Sequence, residues 1–421
     1  MLKRILKWTG IVLGGLIAVL LIANAVFVWR SSAALEKRLQ AVRDEGRPVR
    51  LADLARAPTP PEQNAAVYLR RARQDLTAIG KDLSAFYESE AYKKDRLGPA
   101  EVKTLEDVLE AYPQAVSLLE QAVAASDYDP EPDYSLSFNA FVSASIDDLG
   151  NLRAAARLLN YRAMVLLAHG KRDEALGRAV DLFRLARHCD KQPMLVGYLV
   201  AIAVRGVGVE TANRVLRSGP VATAARDALD AELARHDLSE SYRQALISER
   251  ALGLTAFRDQ NLGRFWPARG FWNNAVIYYL DMMESQLALA SQPYHKVLQA
   301  GPPAISKPVS PWTVLADLVL PAVGAARQAT ERCRATMRCL GILNAATRLE
   351  QQGVEATGLG DLKLPEQQTI DPFTGKPLLM KELPEGWVVY SVGMDLKDDG
   401  GQVDDLADFG LGPVPPLSSL E

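Results

Sequence analysis

Six aspartates in a short, glycine-containing stretch near the C-terminus are the residues of this chain best suited to chemistry. Clustered carboxylates on a bendable backbone can supply the oxygen ligands, about six to eight, that calcium requires. The EF-hand spacing, which ends on a glutamate, is absent. On these residues alone, a solvated acidic loop is the alternative to a metal site. The aspartates are Asp395, Asp398, Asp399, Asp404, Asp405 and Asp408, and the glycines are Gly393, Gly400 and Gly401.

The chain offers little that resembles a catalytic site. His188, Cys189 and Asp190 are the most suggestive set, but neighbouring residues of a helix point about 100° apart and a catalytic triad is a spatial arrangement. The patterns H-E-x-x-H, G-x-S-x-G and G-x-x-x-x-G-K do not occur. The histidines are scattered, each near a predicted helix end. We therefore predict a protein that is not an enzyme; an enzyme with an unrecognised site acting on the cell envelope is the alternative.

The elements that position these residues begin with an apolar run. Residues 8–29 have a tryptophan at each end and contain no charged side chain. As a helix the run is about 31 Å long, close to the thickness of a bilayer's hydrocarbon core, and tryptophan favours the boundary on either side. Lys3, Arg4 and Lys7 precede it. By the positive-inside rule, we predict a cytoplasmic N-terminus and a body outside the inner (cytoplasmic) membrane of a bacterium.

Two other interpretations of the run are a cleaved signal peptide and a buried core helix. Ala23, Asn24 and Ala25 match an A-x-A cleavage site. However, the apolar stretch continues through residues 26–29, which a signal peptide does not need. A core helix of this length would normally show a polar face. An uncleaved single-pass anchor, with residues 8–29 in contact with the lipid bilayer, is therefore the favoured interpretation.

Composition limits the partners and the cysteine chemistry. The 421 residues carry a net charge of −3, so nothing indicates a nucleic-acid partner. The three cysteines, an odd number, leave at least one thiol free or paired between chains. Cys333 and Cys339 lie about 9 Å apart along a helix, too far for a disulfide, whereas Cys189 could pair with either. Buried free thiols are the favoured interpretation of all three.

Apolar residues at helical spacing predict a mainly α-helical protein. We expect an N-terminal transmembrane helix, an extracytoplasmic array of helical hairpins, and a small C-terminal β-hairpin with an acidic loop. The predicted division is 1–30 for the cytoplasmic tip and anchor, 31–135 for juxtamembrane helices and linkers, 136–352 for the helical body, and 353–421 for the hairpin, acidic loop and Pro-rich tail.

Glycine and proline predict where several helices end. The anchor helix is expected to run on into the body and to stop near Gly46. Pro113 is expected to kink or split the helix over 100–124, and Pro321 to break the helix over 312–352.

Two stretches of the body carry further signals. Residues 163–185 resemble one tetratricopeptide-type helical hairpin, although no clear repeat of the same period follows it. Residues 265–279 are rich in Phe, Trp and Tyr. A packed helix start with core-facing rings is the favoured interpretation of this aromatic block, and a groove for a peptide or glycan is the alternative.

Beyond residue 353 the pattern changes from helices to strands and turns. Residues 371–377, Asp-Pro-Phe-Thr-Gly-Lys-Pro, predict a turn. Residues 378–382 and 387–392 predict two strands joined as a hairpin. An acidic loop and a Pro-rich tail are expected after them.

This C-terminal end resembles that of type II secretion major pseudopilins. There a D-P-W-G-x-P turn, a Y-S-x-G-x-D strand end and a glycine-acid loop build a calcium site. The matching stretches here are 371–377, 389–395 and 400–408. The resemblance implies that calcium is held by carboxylates, with the Val392 carbonyl nearby. The implied ligands are Asp395, Asp404 and Asp408, with Asp405 as a further one.

The layout as a whole is similar to bacterial single-pass membrane-anchored helical proteins, a resemblance that implies no activity. We predict a binding or scaffold protein with an unidentified protein partner, because helical hairpins packed side by side present broad surfaces. A component or relative of a secretion or pilus-like apparatus, with a C-terminal calcium site, is the alternative that the resemblance suggests.

Overall fold

The computed structural model describes residues 2–89, 98–260, 265–301, 306–308, 310–354, 356–384, 386–401 and 408–414. The protein is mainly helical, with 72% helix and one small antiparallel sheet. The predicted helical fold class is confirmed at this level.

Helix α1 (Leu2–Asp44) contains the apolar run and continues beyond it without a break, as predicted. It includes an 18-residue window of mean hydropathy 2.7, only 6% of which is buried by the rest of the protein. The chain therefore has an N-terminal helix that is long and apolar enough to span a membrane. The helix ends just before Gly46, which has a positive φ. This left-handed conformation closes many helices.

The other helices fold into one body around three large groups of buried apolar side chains. Their bounds are α2 (Ala65–Asp82), α3 (Ser84–Glu88), α4 (Pro99–Ala111), α5 (Pro113–Ala124), α6 (Phe138–Ala168), α7 (Arg172–Cys189), α8 (Leu195–Arg217), α9 (Thr223–Leu233), α10 (Leu238–Asp259), α11 (Arg269–Ala290), α12 (Tyr294–Ala300), α13 (Thr313–Gln351) and α14 (Glu366–Thr369).

Helix α8 is also apolar and long enough to cross a membrane, with a mean hydropathy of 1.5. However, 61% of its apolar window is buried inside the body, where it packs against α7, α13 and α6. Helix α8 is therefore a core helix, whose apolar residues are covered by other helices.

The predictions made at Pro113 and Pro321 have different outcomes. Pro113 splits its helix as predicted, because α4 ends at Ala111 and α5 begins at Pro113. The predicted break at Pro321 is wrong, since α13 runs through it. Buried residues on both sides of this proline, Ala316 and Val323, belong to the same apolar cluster as α11. Packing of this face against α11 holds the helix together although Pro321 supplies no N–H to it.

The predicted helical hairpin is present in α6 and α7, which pack against each other. Gly170, which also has a positive φ, makes the turn between them. Helix α8 then packs along α7, so that three successive helices lie side by side. This arrangement buries their apolar faces against one another.

The sheet has the order β1 (Leu379–Leu383), β2 (Gly386–Ser391), β3 (Phe409–Val414), with both pairs antiparallel. The β1–β2 hairpin was predicted; the third strand was expected to be loop and tail. The sequence did not predict β3 because Gly410, Gly412 and Pro413 are residue types typical of loops. Here the glycines are required, because a Cβ on Gly410 would overlap the Val389 carbonyl oxygen. Proline is tolerated because β3 is an edge strand.

Candidate functional site

The acidic loop starts where β2 ends, and the structure describes part of it. Asp395 is exposed, and its Oδ1 accepts a hydrogen bond of 3.2 Å from the Lys397 amide. Asp404 and Asp405 lie outside the described residues. Within the described residues, no group of three His, Cys, Asp or Glu side chains is arranged to hold a metal ion. The ligand set implied by the resemblance thus stays a prediction.

Asp408 is the acidic-loop residue with the most distinctive surroundings. Its side chain is fully buried beside β3, and its Oδ2 accepts hydrogen bonds from the amides of Asp399 (3.1 Å) and Gly401 (2.9 Å). Its Oδ1 is buried with no hydrogen-bond partner among the described residues. Burial raises the pKa of Asp408. A buried oxygen of this kind is costly unless a proton or a cation satisfies it.

The two remaining parts of the pseudopilin-like pattern lie in contact. Asp371, in the predicted turn, is buried and accepts hydrogen bonds from the Phe373 amide (2.8 Å), the Ser391 hydroxyl and the Val392 amide. Burial raises the pKa of Asp371 despite these bonds. The carboxylate therefore ties the turn to the end of β2, immediately before the acidic loop.

A second site, which the sequence did not suggest, is a buried charge network centred on Arg205 of α8. This side chain is fully buried and forms a bidentate ion pair with Asp190, in which Nη1 lies 3.0 Å from Oδ1. Ser241 Oγ donates to the same carboxylate at 3.0 Å. Burial opposes the charge of Arg205, but Asp190 raises its pKa above the usual value. The pair is a fixed part of the interior.

The network fixes the protonation state of His236. Nε of Arg205 donates to Nδ1 of His236 at 3.0 Å, which assigns the neutral ring's proton to Nε2. That nitrogen is buried, and the nearest acid, Glu232 Oε1, is 3.7 Å away. Arg187 Nε holds Glu232 at 2.7 Å. Burial, with Arg205 and Arg187 nearby, lowers the pKa of His236 to about 2.

We expect His236, together with His188, to make the protein less stable in mild acid. Burial likewise lowers the pKa of His188 to about 4, from its usual value of 6.5. Between pH ~4 and ~6.5 these two histidines bind up to two more protons in the unfolded chain than in the folded one, so stability falls with pH by up to about 1.4 kcal/mol per pH unit for each histidine. Urea unfolding between pH ~7.5 and ~5, at constant detergent and salt, measures the slope. His236→Gln should show a slope shallower than that of wild type by up to about 1.4 kcal/mol per pH unit; equal slopes would contradict the assignment.

A cleft of about 450 Å³ opens beside His236, between α9, α13 and the segment that carries α14. Its volume is typical of small-ligand sites. Its floor includes Leu238, Met337 and Ile342. The polar lining comes from three distant parts of the chain: Asp230, His236, Arg334, Arg338, Gln367 and Gln368.

Arg338 gives this cleft its charge. Burial, with Arg334 nearby, lowers the pKa of Arg338 to about 10, so it is a cation at neutral pH. One of its nitrogens donates to the Ile370 carbonyl, and no carboxylate among the described residues forms an ion pair with it. Arg334, in contrast, is paired with Glu331 at 2.9 Å. Asp230 is engaged by Arg348 and Asn344. The cleft thus presents one guanidinium able to bind an anionic group.

The suggestive trio His188, Cys189 and Asp190 does not converge. Cys189 is fully buried in the apolar core, where burial raises its thiol pKa. His188 packs on the Tyr128 ring at a centroid distance of 6.2 Å, and Asp190 holds Arg205. All three cysteines are free and buried, as favoured from the sequence.

The aromatic block divides into two parts. Trp272, Tyr278 and Tyr279 on α11 are buried, as the core interpretation predicted. The preceding turn and the start of α11 are different, because Phe265, Trp266 and Phe271 are exposed. Core packing therefore explains the buried rings of α11 but not the exposed rings at its start and in the preceding turn.

The chain matches no protein-family model, and no curated protein or solved structure is detectably similar to it. The class that fold and sites define is a mainly helical protein with an N-terminal helix of membrane-spanning length and a small antiparallel sheet.

Proposed function

We propose that this protein is a membrane-anchored binding or scaffold protein, whose helical body stands at the outer face of a bacterial cytoplasmic membrane. Lys3, Arg4 and Lys7 before the apolar run support this orientation. The similarity of its layout to bacterial single-pass membrane-anchored helical proteins is part of the same proposal.

The observation that carries the proposal is the rigid joint between α1 and the body. Helix α1 leaves the apolar run without a break and packs along α11. Beyond the run, Arg38 forms a bidentate ion pair with Asp281, at 2.7 and 3.0 Å. Closer to the run, Asn273 Nδ2 donates to Ser31 Oγ (3.2 Å) and Ser32 Oγ (2.9 Å). Polar contacts therefore fix the body to the anchor along successive turns of α1.

An ion-pair cluster around a buried arginine locks the end of α1. Arg250 of α10 is fully buried and pairs with Glu284 of α11. Arg47, just past α1, pairs with the same carboxylate at 2.9 Å. Removing Glu284 would leave a buried guanidinium unpaired, which is strongly destabilising. Such a joint keeps the body at a fixed height and tilt, as a scaffold or binding protein at a surface requires.

The cleft beside His236 is the surface that we assign to the partner. Arg338 lacks a carboxylate partner among the described residues, and an apolar floor lies next to it. A protein segment with an acidic side chain next to an apolar one fits this arrangement, because guanidinium–carboxylate contacts give orientation and apolar burial gives affinity.

Photo-crosslinking in native membranes tests this assignment. A benzophenone amino acid at Gln367, on the cleft rim, is expected to give a discrete adduct with a protein of defined mass. Arg338→Ala, introduced with the same probe, should abolish the adduct because the anion-binding group is lost. The matched control carries the probe at Ile146, an exposed residue outside the cleft lining. No adduct from Gln367, or the same adduct from Ile146, would refute the cleft as binding site.

A calcium-binding relative of a secretion apparatus is a second candidate, and one observation favours it: the buried Oδ1 of Asp408, which has no partner among the described residues. Asp371 also joins the turn to the strand end before the acidic loop. Of the implied ligands, Asp408 fits a cation-binding role, whereas Asp395 is exposed and bonded locally. The site would need further oxygens from residues 402–407, which include Asp404 and Asp405.

Calcium should raise the melting temperature if this candidate is right. Binding to the folded state alone adds about 2.7 kcal/mol at a concentration about 100-fold above Kd. We expect calcium, but not an equal concentration of magnesium, to raise the melting temperature of the full-length protein in detergent. Asp404→Ala and Asp408→Ala should each lose the calcium-dependent shift, whereas Asp361→Ala, outside the loop, should keep it. An unchanged wild-type melting temperature would eliminate the site.

A further inference from the structure

The end of the body that faces the apolar run is set by three helices that point in the same direction. Phe27 of α1 contacts Phe271 of α11 with ring centroids 5.0 Å apart. Further along, Arg38 meets Asp281. Both helices therefore advance by about three turns between the two contacts, so α11 runs parallel to α1 and begins at the level of Phe27.

Helix α13 has the same direction and begins at the same end. Trp312, at its N-terminus, packs on Trp272 with centroids 5.7 Å apart, and Ser310 Oγ donates to the Phe271 carbonyl at 3.0 Å. Further along, Arg327 of α13 donates to the Ala290 carbonyl at 3.1 Å. The starts of α11 and α13 thus form the end of the body nearest the apolar run.

The body overlaps the apolar run rather than starting beyond it. One face of α1 is covered from Asn24 onward, with Asn24 and Phe27 half-buried and Val28 buried. Gly270 of α11 comes so close that a Cβ there would overlap the Phe27 ring. Asn24 lies about 7 Å before Trp29 along the helix. If residues 8–29 fill the bilayer core, the start of α11 lies at the depth of the headgroup–acyl boundary.

The exposed side chains at this end suit that depth. Outside α1, nine large apolar side chains among the described residues are exposed, and four of them are here. The four are Phe265 (66% exposed), Trp266 (40%), Phe271 (38%) and Val314 of α13. Trp29 of α1, at the same level, is 71% exposed. Aromatic rings concentrate at the membrane–water boundary, where an apolar body and a polar edge are both satisfied.

Exposed cations accompany these rings. Arg30 follows Trp29, and Arg269 begins α11. Long basic side chains at this depth can extend toward lipid phosphates while their stems remain in the apolar layer. The patch therefore has the apolar and charged components of an interfacial membrane contact.

We infer that Phe265, Trp266, Phe271 and Val314 form, with Trp29, an aromatic collar that inserts into the headgroup–acyl boundary of the bilayer beside the anchor. The inference rests on the proposed anchoring of α1 and adds a second, peripheral membrane contact made by the body. The occupant is a lipid surface because the patch is continuous with the apolar run and lies level with its end. Together with the rigid α1–α11 joint, the collar sets the tilt of the body.

Depth-dependent quenching tests the collar. The full-length protein is reconstituted in phosphatidylethanolamine–phosphatidylglycerol vesicles with an environment-sensitive fluorophore on one introduced cysteine. The positions are Phe265→Cys in the collar, Leu16→Cys in the apolar run, and Val354→Cys just past α13. The length of α13 places the last probe about 60 Å from the collar. Lipids carry a spin label either near the headgroup or near the chain end.

The collar probe is expected to lose fluorescence mainly to the headgroup-proximal label, the Leu16 probe mainly to the chain-end label, and the Val354 probe to neither. Adding Trp266→Glu should reduce quenching of the collar probe without affecting that of the Leu16 probe. An unquenched collar probe beside a quenched Leu16 probe would overturn the collar but not the anchor. An unquenched Leu16 probe would overturn the anchor itself. An unquenched collar probe whose emission shifts when the protein is diluted in the vesicles would assign the patch to a second copy instead.

Discussion

Replacing Arg205 by methionine should lower the free energy of unfolding by about 3 to 5 kcal/mol, the cost of breaking a buried ion pair by removing one partner. Arg205 is fully buried, and it engages Asp190 through two nitrogens and His236 through a third. Methionine fills much of the volume but leaves the largely buried Asp190 charge without its cation, with only the Ser241 hydroxyl among the described residues still donating to it, and leaves His236 Nδ1 without a donor. Urea unfolding of the full-length protein in detergent, followed by far-UV circular dichroism, measures the change.

The matched control is Arg243→Met. This arginine forms the same kind of contact with Glu240, at 2.8 Å, but the two side chains are 40% and 48% exposed. Exposed pairs contribute about 1 kcal/mol or less. Adding Asp190→Asn to Arg205→Met should recover part of the loss, because no uncompensated charge then remains inside. A loss below about 1 kcal/mol in Arg205→Met would show that the network is solvated.

Arginine at both Leu16 and Leu20 should abolish stable insertion of α1. Each leucine is exposed on the apolar run, in positions that the proposed anchoring assigns to lipid. An arginine near the centre of a span costs about 2.5 to 3.5 kcal/mol, so the pair removes most of the driving force for insertion. Extraction of membranes at alkaline pH, followed by immunoblotting of pellet and supernatant, should find wild type in the pellet and the variant released or degraded.

Arginine at Ala33 and Gln40 provides the comparison, since both residues are exposed on α1 beyond the apolar run. That variant should remain in the pellet, because its charges lie in water. Retention of the Leu16 and Leu20 variant to the same extent as wild type would show that residues 8–29 do not hold the protein in a membrane. The two outcomes separate a loss of insertion from a general effect of added charge on α1.

The elements with a strong local signal were predicted well. The apolar run, its continuation into the body and the split at Pro113 follow from composition and backbone chemistry within a few turns of helix. Pro321 and β3 were predicted incorrectly for one reason: tertiary packing overrode a local preference. Neighbours of Pro321 are held against α11, and Gly410 and Gly412 allow a close backbone approach in β3 that a loop-like sequence does not reveal.

The candidate sites differ in the same way, because one has a local sequence signal and the other is formed only by folding. Asp395, Asp404, Asp405 and Asp408 stand out in the sequence because they are close along the chain, yet only folding buries Asp408 and leaves one of its oxygens without a partner among the described residues. The cleft had no comparable signal. Its lining comes from α9, α13 and α14, which lie far apart in the chain.

The sequence by itself determined that this is a mainly helical protein whose first helix is long and apolar enough for a bilayer, because helix formation and lipid compatibility depend on residues that are near one another in the chain. Tertiary structure alone decided where His236 lies and that the start of α11 overlaps the apolar run. It also placed Arg338, which has no carboxylate partner among the described residues, in a cleft. Burial and charge pairing are made by residues far apart in sequence, so no local pattern encodes them.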